Sequence, residues 1–228
     1  MLYYMEGLKN LQNEKDIYKT INFIFCIFYA VWGLVLGIYN IFNSNLYYIM
    51  LAFASEFFIF IPPVMYKILK LKPVYKLSLL FNIFCFLAYM IGVAMALYHH
   101  LPLYDKFVHM LSGILFGLIG IVLYYILKPV KRIETSDYGH VTYTTISAAL
   151  SSAVIWEIWE YISNLIFHTD PQNVLTTGIN DTMGDMIACL LGSLILCVSV
   201  YFYYRRGKKS FTMSVFESFY NENFAIPE

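Results

Sequence analysis

The sequence predicts an all-α protein, a polytopic helical membrane bundle of six transmembrane helices with both termini in the cytoplasm. Three observations predict it. Of 228 residues, 60% are hydrophobic and 13% charged, and the mean hydropathy is +0.62. An ordinary soluble domain is about one-half apolar and one-quarter charged. Six apolar stretches (21–40, 46–66, 77–98, 104–127, 143–166 and 181–204) approach the roughly 20 residues needed to cross a hydrocarbon core as a helix. The basic residues then choose the orientation. Fourteen of the fifteen Lys and Arg fall before the first stretch, between the second and third, between the fourth and fifth, or after the sixth, and only Lys106 falls on the other side. Positive-inside counting places those fourteen in the cytoplasm.

The chain therefore reads as a cytoplasmic segment 1–20, a six-span domain 21–204 and a cytoplasmic tail 205–228 in the cell membrane. Residues 1–20 mix Lys9, Lys15 and Lys19 with Glu6, Glu14 and Asp16, a pattern that suits an interfacial helix. No small-residue cleavage site follows, so the first span reads as a retained anchor. Span two carries Glu56 in its middle and is expected to stop at Pro62-Pro63. Glu56 is expected to lie protonated against Asn82 of span three or a backbone carbonyl. Span three closes on His99-His100. Span four carries Gly113, Gly117 and Gly120, and span six Gly184, Ala188 and Gly192, small-residue stripes that let helices approach closely. Cys26, Cys85, Cys189 and Cys197 fall inside spans without CxxC spacing and read as buried thiols rather than disulfides. His140 and His168 are placed in loops, and the tail from Ser210 carries no readable motif.

Ionisable residues interrupt the last three spans in pairs: Asp105 and His109, Glu157 and Glu160, Asp181 and Asp185. Spacing of three or four residues puts each pair on one helix face. Charged side chains at such depth are costly and mark functional sites by default. The topology lets them meet. His109 lies about 6 Å deeper than Asp105, at 1.5 Å per residue, and Asp185 repeats that offset below Asp181. Glu160 and Glu157 lie roughly 9 and 14 Å below the outer end of span five. All six fall in the outer half of the bilayer. Close carboxylates in low dielectric share protons or bind cations. The local basic groups are Lys106 and His109, with His99 and His100 near the same surface.

Carboxylates with one imidazole suit a divalent cation. The expected ligands are His109, Glu157, Asp181 and Asp185, with Glu160 or Asp105 as general base. Bland readings compete. Asp105 and Asp181 suit helix-start caps, and the deeper four suit a buried hydrogen-bond network between helices. Asn164 and Ser112 are placed to support the ligands, and Trp156, Trp159 and Tyr161 read as interfacial packing.

These motifs resemble the YjdF-like family of uncharacterised bacterial membrane proteins. The likeness covers residues 100–195. It rests on Asp105-Lys106-Phe107-Val108-His109, Trp156-Glu157-Ile158-Trp159-Glu160, and Asp181-Thr182-Met183-Gly184-Asp185 with Gly192. A fainter similarity extends to VanZ-like proteins, linked to glycopeptide resistance, which often carry Gln and Asn where this chain has Glu160 and Asp185. The resemblance implies the membrane class and the site but supplies no substrate.

Two functions follow as expectations beside a non-catalytic membrane module. One is a metal-dependent enzyme acting on an envelope lipid, a lipid-linked substrate or a small molecule. The other is a cation- or proton-coupled transporter, against which the off-centre cluster and the scarcity of proline inside spans count. Membrane lipid is the expected partner, a six-span carrier could work as a dimer, and the basic clusters read as topology signals rather than nucleic-acid contacts. No nucleophile constellation, phosphate-cradling glycine loop or dinucleotide fingerprint is present.

Overall fold

The computed structural model describes residues 2–43, 46–101, 103–168 and 170–225; the side chains of 2–11 and of His99 lie outside the described set. All regular structure among the described residues is helical. The order is α1 (Leu2–Asn43), α2 (Leu46–Ser55) passing through a 3₁₀ stretch (Glu56–Phe60) into α3 (Ile61–Ile68), α4 (Tyr75–Cys85) passing into a π-helical stretch (Phe86–Ala94), α5 (Leu97–His100), α6 (Tyr104–Leu127), α7 (Tyr138–Phe167), α8 (Val174–Thr177), α9 (Asn180–Arg206) and α10 (Phe211–Asn223). Among the described residues, five segments are long and apolar enough to cross a membrane: Gln12–Asn43, Leu46–Ile68, Tyr75–Ala94, Tyr104–Leu127 and Asn180–Arg206. The fifth expected span lies in α7, whose 30 residues include the hydroxyl run and both glutamates that lower its hydropathy.

Several boundaries move. The polar lead is continuous with the first span, because no proline interrupts α1. Pro62 and Pro63 do not stop span two. They occupy the first turn of α3, where a missing N–H leaves no helical bond unmade. Span three ends at Ala94, and Ala96 beyond it has a φ of 57°. His140 sits in the first turn of α7 and stacks on Tyr124 rather than lying in a loop. The tail folds as α10. The four cysteines are free thiols.

The chain divides into two compact units, Met1–His100 with Asn221–Asn223, and Leu101–Tyr220 with Phe224–Glu228. In the first, α1 packs on α2 and α4 around Tyr29, Cys85, Phe86, Met90 and Ala94. Asn82 does not meet Glu56. Its Nδ2 donates to Asn22 Oδ1 at 3.0 Å and to Cys26 Sγ at 3.3 Å. An amide in a span finds the nearest acceptors on the facing helix, and here those belong to α1.

In the second unit α6 packs against both α7 and α9. Its glycines set the spacing. A Cβ on Gly113 would stand 2.0 Å from the Cys189 carbonyl oxygen, and one on Gly192 of α9 1.9 Å from that of Met110. A Cβ on Gly120 would stand 2.5 Å from the Thr144 carbonyl oxygen of α7. Backbone meets backbone on both sides of α6, the packing that substitutes for hydrophobic drive between helices in lipid.

At the basic end of this bundle Asp137 is 4% exposed. It accepts hydrogen bonds from Lys128 Nζ at 2.7 and 2.8 Å, from the Tyr124 and Tyr125 hydroxyls at 2.8 Å, and from the Glu134 backbone N–H at 2.9 Å. Tyr125 and Tyr204 join hydroxyls at 2.8 Å, Phe216 of α10 packs on the Tyr125 ring, and the Tyr220 hydroxyl donates to the Lys131 carbonyl. Burial alone would raise the Asp137 pKa; the Lys128, Glu134 and tyrosine hydrogen bonds outweigh it and hold the carboxyl below its ordinary value. The sign follows: the network contributes stability above the unfolded-state pKa and loses it as pH falls through the lower folded-state pKa. Asp137→Asn is expected to cost about 2 kcal/mol near neutral pH, from lost hydrogen bonds to a charged acceptor. It should also flatten the acid limb of a thermal-stability profile against pH.

Candidate functional site

The acidic site begins where α6 leaves its first turn. Asp105 does not cap α6. The residue preceding the helix is Leu103 and no side-chain cap bond is made there. Instead the Lys106 ammonium enters the cluster and binds three carboxylates: Asp105 Oδ2 at 3.0 Å, Asp181 Oδ1 at 2.6 Å and Asp185 Oδ1 at 2.7 Å. Its stem runs past Gly184, where a Cβ would stand 3.0 Å from Lys106 Cε. The lysine reaches α9 because that turn of α9 carries no side chain to obstruct it. Neighbours in sequence do not share a helix face, so only the length of the lysine stem brings Lys106 onto the side of Asp105.

His109, 8% exposed, lies one turn beyond Asp105. Its Nε2 is 3.5 Å from Asp105 Oδ1 and 3.6 Å from Asp185 Oδ1, ion-pair distances beyond a hydrogen bond. Asp105, His109 and Asp185 each offer a ligand atom within 4.8 Å of the others. Among the described residues this is the set that converges on a space of metal size. Asp105, expected as a base, lies with His109 and Asp185 in the group whose spacing could hold a metal ion. Asp181 is turned to Lys106 and accepts from Asn173 Nδ2 at 2.8 Å.

Glu157, 7% exposed, borders the same region from α7. Gln172 Nε2 donates to its Oε2 at 2.9 Å and to Thr182 Oγ1 at 3.3 Å, tying α7 to the start of α9. Glu157 Oε1 is buried without a hydrogen-bond partner. Orphaned buried carboxylate oxygens are costly and call for an ion, a proton or a water. A shallow, largely open groove of ≈ 270 Å³ includes it, lined by Val154, Glu157, Ile158, Tyr161, Gln172 and Met186. Glu160 is held differently: Trp156 Nε1 donates to its Oε1 at 2.8 Å. Trp156 thus has a polar task beyond interfacial packing.

The expected supports fare unevenly. Ser112 returns its hydroxyl to the His109 carbonyl at 2.7 Å and lies 3.6 Å from Cys189 Sγ, so it braces the helix at His109 without touching the imidazole. Asn164 contributes its carbonyl to the His168 N–H, the end of α7. The residues missed are Gln172 and Asn173, in the loop between α7 and α9. Asp170 fixes that loop by accepting from the Val174 and Leu175 N–H groups at 2.9 and 3.0 Å. Three polar residues in Asp170-Pro171-Gln172-Asn173, between two spans bearing carboxylates, were the available signal.

Three carboxylates thus meet one ammonium, two of them also flank the imidazole, and Glu157 and Glu160 are held on α7 by Gln172 and Trp156. The arrangement can bind a cation, pass protons among its carboxyls, or stand as an ion-pair network around Lys106. A family model described as "Predicted membrane protein (DUF2238)" matches residues 22–206. Comparison with curated proteins and with solved structures gives no match.

Proposed function

The chain belongs to the DUF2238 family of predicted membrane proteins, and from that premise we propose a six-span enzyme that uses a divalent cation on an envelope lipid or lipid-linked substrate. The six-span reading is supported by α7. Its 30 residues give a rod of about 45 Å at 1.5 Å per residue, against a core of about 30 Å. If α7 did not cross, Arg205, Arg206, Lys208 and Lys209 would sit opposite the other basic clusters. With it, both termini are cytoplasmic and the acidic site opens outward.

The observation that carries the cation is the convergence of ligand atoms of Asp105, His109 and Asp185 within 4.8 Å of one another. Oxygen donors with one imidazole suit Mg²⁺, Mn²⁺, Fe²⁺ or Zn²⁺. Asp105, His109 and Asp185 would hold the ion, with Glu157 supplying a further oxygen and Asp181 holding Lys106. A bound cation would polarise a phosphoryl or carbonyl oxygen at headgroup level. Glu160, oriented by Trp156, would take the proton from water or a substrate hydroxyl.

Elemental analysis of the purified full chain tests the reading, together with thermal shifts on adding Mn²⁺ or Zn²⁺. One divalent ion per chain is expected, lost in Asp185→Asn and His109→Gln but kept in Glu160→Gln. A folded wild type that carries no metal and is not stabilised by any divalent ion would reduce the cluster to an ion-pair network closed by Lys106.

A further inference from the structure

The first unit holds a second intramembrane carboxyl, unrelated to the residues above. Glu56 is the one charged residue in segments 20–66 and 77–98, and it lies near the middle of Leu46–Ile68. Helix regularity fails around it. Glu56 opens the 3₁₀ stretch Glu56–Phe60, and the facing span turns π-helical over Phe86–Ala94, departures from α-geometry that often mark functional positions. Its carboxyl lies in a slot made by a glycine. A Cβ on Gly33 of α1 would stand 1.8 Å from Glu56 Oε1 and 2.9 Å from Met90 Cε. Glu56 Oε1 is buried with no hydrogen-bond partner. One turn earlier on α1, Tyr29 is 0% exposed and its hydroxyl is also unpartnered. Ser55 spends its hydroxyl on the Ala52 carbonyl at 2.6 Å and touches Met90 Sδ at 3.6 Å.

We propose that Glu56 and Tyr29 form an intramembrane proton-binding site. Ionised, Glu56 would place an unpaired charge in hydrocarbon with no Lys, Arg or His in any of these three segments, a costly state. A proton removes the charge and supplies a donor, and the acceptor the proposal assigns to it is the unpartnered Tyr29 hydroxyl one helical turn from Gly33. A metal ion fits less well, because hard cations take about six or more oxygens and the slot at Gly33 is lined by the Glu56 carboxyl and the Met90 methyl. The other titratable groups in residues 20–66 and 77–98 are the thiols of Cys26 and Cys85 and the phenols of Tyr39, Tyr47, Tyr48, Tyr66, Tyr89 and Tyr98. None is a basic group that could pair with an ionised Glu56.

Lipophilic dicyclohexylcarbodiimide, which adds to protonated carboxyls without a leaving group, tests this on the full chain in phospholipid nanodiscs. Peptide mass mapping should place an adduct on Glu56, declining as pH rises and absent in Glu56→Gln. Tyr29→Phe, which removes the acceptor, should move that decline to lower pH. Gly33→Ala, which fills the slot, should displace the carboxyl and lower the yield at least several-fold. No adduct on Glu56 of folded protein at any pH would overturn the proposal. So would equal labelling by a water-soluble carbodiimide, or protection by sodium at fixed pH, which would make the ligand a metal ion. Neither result bears on the metal content of the acidic site.

Discussion

Replacing Lys106 by methionine is expected to destabilise the folded protein by about 3 kcal/mol. That is the low end of the range for removing one partner of a buried ion pair. The low end applies because the Lys106 side chain is 29% exposed, which screens part of the charge. Methionine keeps the stem that passes Gly184 and removes only the ammonium, so the loss reports charge rather than packing. The carboxylates left behind are unequal. Asp185, with a side chain 4% exposed, cannot turn to solvent; Asp105 and Asp181, at 24% and 15%, can rehydrate in part. A second change, Asp181→Asn, should recover part of the loss, since the pair shares one network and will not add. If the site takes a divalent ion, Mn²⁺ should stabilise Lys106→Met more than wild type, because the ion then fills a space the ammonium contests. Thermal unfolding followed by intrinsic fluorescence, with and without Mn²⁺, measures both effects. A Lys106→Met protein as stable as wild type would mean the three ion pairs contribute nothing net.

Lys106 also shows what the sequence could and could not say. Spacing put Asp105 with His109 and Asp181 with Asp185 on common faces, and the structure brings the three aspartates to one ammonium and two of them to the His109 imidazole. Periodicity is a property of one helix, so it survives folding. Which partner each carboxylate chooses depends on the helix opposite, and no single-helix pattern encodes that. Gly184 had been read as part of a packing stripe, whereas its place beside Lys106 Cε admits the lysine. The spans were legible from hydropathy because lipid imposes it, except where α7 trades hydropathy for its hydroxyls and glutamates. The breaks at Glu56 and Phe86 were not legible. Pro62-Pro63, just after the first of them, opens α3 rather than ending the span, and the π-helical stretch Phe86–Ala94 carries no proline at all. The tail lacked a motif because α10 is held by aromatic contacts, Phe216 on Tyr125 among them, which depend on what it meets.

Substitution of alanine at Gly113 or Gly192 should injure the fold as much as any single methyl can. Intrinsic propensity argues the other way: alanine is favoured over glycine in a helix interior by about 1 kcal/mol. The packing decides the sign. Each new methyl would meet a backbone carbonyl oxygen of the neighbouring helix, at 2.0 Å for Gly113 and 1.9 Å for Gly192, where ordinary contact begins near 3.4 Å. A backbone oxygen cannot rotate away as a side-chain tip can, so α6 and α9 must separate by more than an ångström. Overpacking typically costs 1–3 kcal/mol and sometimes more, and the rigid obstacle points to a net loss of about 2–3 kcal/mol per substitution. The two positions are one contact seen from both sides, since a Cβ on Gly192 would also stand 3.3 Å from Gly113 Cα. The double variant should therefore cost clearly less than the sum. Separation at this level also pulls Asp185 from Lys106, now 2.7 Å apart, so any cation-dependent stabilisation should weaken in parallel. Gly139→Ala is the control: nothing lies within 4 Å of its would-be Cβ, and it should be neutral or stabilising by up to about 1 kcal/mol. If Gly113→Ala and Gly192→Ala behaved like Gly139→Ala in detergent unfolding, α6 and α9 would not be in backbone contact, and the site that joins them would lose its frame.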